Sequence, residues 1–161
     1  MSFDLGLTAC RDGEEVSMNS DAAWDVVSRY DCTREPGMKA HLINFEDDSQ
    51  LEMYVAGLTD ADTQTFAQCM LALREITRPI AQFIFEMIRT CPCMAIPIAE
   101  SGALMLPDAQ YQEHLFEGLE ELFEPVVVRD ADHVMELLGP EFEQWEAYRE
   151  QVMEQKPYVD E

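Results

Sequence analysis

TDADTQTFAQCMLALREITRPIAQFIFEMIRTCPC, residues Thr59 to Cys93, is the longest helical signal in the chain, and the rest is read around it. Apolar side chains recur at Phe66, Cys69, Met70, Leu73, Ile76, Ile80, Phe83, Ile84, Met87 and Ile88, the three-to-four spacing of one helix face. Past Pro79 the run IAQFIFEMI is apolar nearly all round, which makes it the most buried piece of the molecule. Pro79 removes a backbone donor and clashes with the Glu75 carbonyl. The pattern therefore predicts a break or sharp kink near Thr77-Arg78, with Thr77 capping the second half. Pro92 stops the run.

Working upstream, SFDLGLTA alternates Phe3, Leu5 and Leu7 against Ser2, Asp4 and Gly6, a half-buried first strand. Arg11-Asp12-Gly13-Glu14 is turn chemistry. Asn19-Ser20-Asp21 offers caps for a helix over about residues 20–30, with Ala23, Val26, Val27 and Tyr30 on one face. DCTREPGMK reads as a loop. HLINF (41–45) and QLEMYVAGL (50–58) read as a hairpin with Glu46, Asp47 and Asp48 at its tip.

Downstream, MAIPIA (94–99) and ALMLP (103–107) flank a Ser-Gly turn and form a second hairpin, with Pro97 pushing its strand toward an edge or an irregular conformation. AQYQEHLFEGLEELF places Tyr111, Leu115, Phe116, Leu119, Leu122 and Phe123 on one helical face and glutamates on the other. PVVV (125–128) is a short strand. DHVMELL is a short helix ended by Gly139-Pro140, and EFEQWEAYREQVME is a last helix before a frayed tail.

The element order over residues 2–99 is β-α-β-β-α-β. This is the ferredoxin-like split pattern, an α+β antiparallel sheet with helices on one face, extended here by a hairpin and acidic C-terminal helices. With 161 residues the expectation is a single domain: a core over 1–107, an acidic subregion over 108–155, and a tail.

Charge limits the function classes. The chain carries 33 acidic and 10 basic residues, a net charge of −23. Such a field repels nucleic acid and anionic membrane and favours a basic partner. No basic, apolar leader opens the chain and no run spans the roughly 18 apolar residues a bilayer needs, so the expectation is a cytoplasmic protein, monomeric or homodimeric.

Chemical motifs are sparse. Cys91-Pro92-Cys93 offers two thiols, yet a structural zinc site needs four ligands and no second cysteine or histidine pair supplies them. The reading is a turn with reduced thiols and no cofactor or metal. Asp130-Ala-Asp132-His133 and Glu113-His114 set carboxylates beside imidazoles, but acids at a helix start commonly cap it. No nucleophile elbow, dinucleotide fingerprint, phosphate loop or zinc-protease helix occurs. The chain reads as a non-enzyme.

What remains is the acidic surface. One cluster is the hairpin tip Glu46, Asp47 and Asp48. Another is the C-terminal helical set Glu113, Glu117, Glu120, Glu121 and Glu124, continued by Glu136, Glu141, Glu143, Glu146, Glu150 and Glu154, with Trp145 and Tyr148 as the aromatics placed for partial exposure. Carboxylates on a rigid scaffold can imitate a phosphate backbone and steer association with a basic cleft. Small acidic inhibitors of nucleases, including immunity proteins of toxin systems and DNA mimics, work this way; the analogy is one of charge, not of motif. The expected function is an inhibitor or immunity-type module that occludes a basic nuclease or toxin. Its rivals are a small-ligand protein or enzyme with a pocket between sheet and helices, an assembly subunit, or a halophile-adapted domain. The last rival fits the presence of only two lysines, Lys39 and Lys156.

Overall fold

The first strand, β1 (Phe3–Arg11), sits inside a nine-stranded, mostly antiparallel sheet. The computed structural model describes residues 3–33, 40–56, 68–98 and 102–155. After β1 come β2 (Glu14–Val16), α1 (Ser20–Val27), β3 (Asp31–Thr33), β4 (Ala40–Asn44), β5 (Gln50–Ala56) and β6 (Gln68–Leu73). They are followed by α2 (Arg78–Thr90), β7 (Met94–Pro97), β8 (Ala103–Leu106), a 3-10 helix (Ala109–His114), α3 (Leu119–Leu122), β9 (Glu124–Val127) and α4 (Ala131–Gln155). The sheet runs β3-β4-β5-β6-β1-β7-β8-β9, with β2 paired to the end of β1. Among the described strands only β8 and β9 run parallel.

The long helix expected over Thr59–Cys93 is corrected. Residues 59–67 lie outside the described set, and Gln68–Leu73 is a central strand between β5 and β1. Cys69, Leu71 and Leu73 are buried toward the helices, while Gln68, Met70 and Ala72 face the other way. This period of two was hidden because Met70 is apolar on the outward face and mimics a helical repeat. The second half holds as read. Thr77 caps α2 through Ile80 N–H at 3.4 Å, and Pro79 sits in the first turn, where its missing donor costs nothing.

Nine strands do not reproduce the ferredoxin-like topology; the fold is α+β with a large sheet. Two strands occupy places read as turn or loop: β2 folds back on β1, and β3 pairs β4. Both hairpins stand where expected, β4 with β5 and β7 with β8.

Two helical readings also change. Residues 109–123 are not one helix: Leu115 is extended and Gly118 takes a φ of 91°, splitting the run into the 3-10 turn and α3. The apolar residues still find a common target. Tyr111, Leu115 and Phe123 pack on Leu104 and Leu106 of β8 and on Met94 of β7. Conversely, Gly139-Pro140 does not end a helix, for α4 continues through Pro140. Leu138 and Phe142 are both buried in the main core, so packing holds the chain helical on either side of the proline.

The main core lies between one sheet face and α1, α2 and α4. Leu5, Leu7, Leu71 and Leu73 from the sheet meet Ile80, Phe83, Ile84 and Met87 from α2, all nearly inaccessible. Each contributes about 1.5–3 kcal/mol by burial. Phe3 against Phe142, with centroids 5.8 Å apart, ties α4 to β1. Among the described residues no helix is long and apolar enough to cross a membrane.

Candidate functional site

The acidic residues are brought together at the β9 edge. Gly118, in its left-handed conformation, lets the chain turn sharply into α3, whose first turn carries Glu120 and Glu121. The Glu124 amide then donates to the Gly102 carbonyl at 3.0 Å and starts β9 alongside β8. Across from this corner runs α4, presenting Glu136, Leu137, Pro140 and Glu141. Between them lies an open trough of about 730 Å³ lined by Glu120, Glu121, Glu124, Glu136 and Glu141, with no basic side chain among the described residues of its wall. At its rim Leu122 is 60% exposed, the most exposed large apolar side chain among the described residues.

Glu141 anchors the trough. Its Oε1 accepts a hydrogen bond from the Ala103 amide at 3.0 Å, while its Oε2 is buried without a partner. Burial raises the pKa of this carboxyl, and the Ala103 bond opposes that rise in part. Gly102 makes room for it. Its φ is +135°, and a Cβ there would run into the Glu141 carboxylate. Tyr148, 59% exposed, lies seven residues along α4 from Glu141 and so on the same stripe, about 10 Å further on. Trp145 belongs to α4, but its side chain lies outside the described set.

The other sequence-marked residues fall elsewhere. Glu113 on the 3-10 helix and Glu117 before Gly118 are exposed but do not line the trough. Glu46, Asp47 and Asp48 sit at the β4–β5 tip, with β5, β6, β1, β7 and β8 between β4 and β9. At about 4.8 Å per strand, that separates the two acidic clusters by roughly 25–30 Å. Asp47 is structural. It accepts from the Ser49 amide at 3.1 Å and from the Ser49 hydroxyl, and the hydroxyl bond holds its pKa down. Glu46 and Asp48 border a different cleft that also contains Arg29 and Arg78, so the tip is not a purely acidic surface. Leu122 is the residue that the periodicity misplaced, on a buried helix face; Glu136 and Glu141 were read within the acidic set but not as neighbours of Glu120, Glu121 and Glu124. The one available signal was Gly118, a helix-weakening residue in the middle of the run.

The remaining motifs serve local structure. Asp130 Oδ1 accepts from the His133 amide at 2.8 Å, and His133 Nδ1 accepts from the Arg129 amide at 3.1 Å, closing the entry to α4. His114 Nδ1 accepts from the Asp12 amide at 3.2 Å across the β1–β2 turn. Cys91 and Cys93 are free, buried thiols; burial pushes Cys91 up to about 12 and Cys93 well above its ordinary value, which suppresses the thiolate. Among the described residues no group of three or more His, Cys, Asp or Glu side chains is arranged to hold a metal ion. Comparison with protein-family models, with curated proteins and with solved structures gave no match.

Proposed function

We propose that the protein is an acidic interaction module that neutralises a basic partner, such as a nuclease or toxin, by covering its site. The observation that carries this reading is the trough, lined by five carboxylates with an exposed leucine at its rim. An interface centre of this kind combines an apolar anchor with a ring of polar groups. The partner's arginines or lysines meet Glu120, Glu121, Glu124 and Glu136, while Leu122 enters an apolar dimple. The buried Oε2 of Glu141, lacking a partner, gains one if a guanidinium reaches it. The net charge of −23 supplies long-range steering.

The test is capture of a basic protein from extract of the native cell on the immobilised chain, followed by assay of the purified partner. Glu120→Lys, Glu121→Lys and Glu124→Lys together are expected to abolish capture. Equimolar wild-type chain is expected to suppress the partner's catalytic activity. A partner retained by the triple variant, or fully active in the complex, overturns the reading.

A further inference from the structure

The sheet has a second face, and among the described residues part of it is left exposed. At the β7–β8 end, Tyr111, Leu115 and Phe123 cover it. Over the middle strands, side chains that alternate away from the helices stand open. Gly6 of β1 is paired with Met70 of β6 on one side and Ile96 of β7 on the other, and Met70 is paired in turn with Tyr54 of β5. Having no side chain, Gly6 leaves a notch at the centre of that row. Ile98 bounds one end, and Thr8 with Gln68 the other, enclosing an open groove of about 510 Å³.

Three observations say what would fill it. First, Tyr54, Met70 and Ile98 are 42%, 37% and 58% exposed, an apolar set left uncovered in one place. Second, among the described residues no charged side chain lines the groove, although the chain as a whole carries −23. Third, Thr8 as a residue is only 8% exposed, and its buried hydroxyl has no hydrogen-bond partner. A buried hydroxyl left unpaired is costly, and a ligand atom that pairs with it recovers that cost.

Charge narrows the occupant. Asp4 and Glu52 lie on the same face, one row from Gly6, so an anionic ligand meets like charge. A second copy of the chain would set two such faces and two −23 charges together. Its apolar contact would rest on Tyr54, Met70 and Ile98, where a stable interface wants about 800 Å² from each side. A cation would find no carboxylate among the described residues that line it. We infer that the groove binds a slender, uncharged apolar molecule bearing one carbonyl or hydroxyl group. Its body lies on Tyr54, Met70 and Ile96 above Gly6, and its polar atom pairs with the Thr8 hydroxyl.

Two fluorescent probes test this on the full chain: prodan, a neutral naphthalene with one ketone, and diphenylhexatriene, a hydrocarbon of similar girth. Both should bind the wild type. Gly6→Val places its Cβ in ordinary contact with Ile96 O at 3.7 Å and Ile98 Cδ1 at 3.9 Å, and its methyls project into the groove from that floor. It should weaken both probes at least ~10-fold, with the melting temperature unchanged or raised. Thr8→Val keeps the shape and removes the hydroxyl. It should weaken prodan by roughly 3- to 10-fold and leave diphenylhexatriene within about twofold. A monomeric wild type that binds neither probe overturns the inference, as does undiminished binding to folded Gly6→Val. A sedimentation result showing a dimer that binds probe only after dissociation assigns the face to a second copy instead. Should Gly6→Val fail to fold, the Thr8→Val pair decides alone: equal effects on the two probes contradict the groove's polar end.

Discussion

Glu141 and Gly102 occupy one space: the carboxylate lies where a side chain at position 102 would have to go, and its Oε1 takes the next amide, that of Ala103, at 3.0 Å. This contact joins α4 to the start of β8 and sets one wall of the acidic trough. Gly102→Ala combines an unfavourable φ with displacement of Glu141, and should cost on the order of 2 kcal/mol in denaturant unfolding. An unchanged midpoint would mean that the contact is not made.

Glu141 also gives a pH signature. Its folded pKa is raised by burial, so the folded state holds a proton that the unfolded chain releases. Stability linked to this group is therefore highest below the ordinary carboxylate pKa and falls as pH rises through the window up to the folded value. Glu141→Gln removes that dependence. The difference in unfolding free energy, wild type minus variant, should decline with rising pH across this window and then level off. A flat difference contradicts the assignment.

The entry to α2 rests on Thr77, whose hydroxyl accepts from Ile80 N–H and lies 3.0 Å from the Ser49 hydroxyl. Thr77→Ala should lose about 1 kcal/mol, and Thr77→Ser should recover most of it. Thermal unfolding of the two variants separates the cap from a generic volume effect.

Phe83 is fully buried, with Tyr30 and Phe45 packed edge-on at centroid distances of 5.3 Å and 6.1 Å. Phe83→Ala should cost about 3–5 kcal/mol, measured by chemical denaturation. In contrast, Leu122→Ala, at an exposed position, should leave stability within about 0.5 kcal/mol.

Much of this architecture could be read from residues. Phe3, Leu5 and Leu7 alternate cleanly because one face of β1 meets the helices and the other carries Asp4 and Gly6. Thr77-Arg78-Pro79 announces a helix start because cap and proline each have a local reason to stand there. The strand Gln68–Leu73 was illegible for a physical reason. It is central and apolar on both faces at Cys69, Met70 and Leu71, so spacing alone does not separate strand from helix. Continuity of α4 through Pro140 was hidden too, since the burial of Leu138 and Phe142 that overrides the proline is a tertiary fact. The acidic site was legible as composition but not as geometry. Glu120, Glu121, Glu124, Glu136 and Glu141 stand in one acidic set in the sequence, yet only the turn at Gly118 and the crossing of α4 bring the last two to face the first three.

The trough is the centre of this account, and the association rate of the captured partner tests it most directly. Measured from low to physiological ionic strength, the rate for the wild type should fall steeply as salt screens the field. It should collapse for Glu120→Lys, Glu121→Lys and Glu124→Lys combined. Reversal of Glu46 and Asp48, at the far end of the sheet, should reduce it only modestly. A rate insensitive to salt, with affinity intact in the triple variant, would contradict the account.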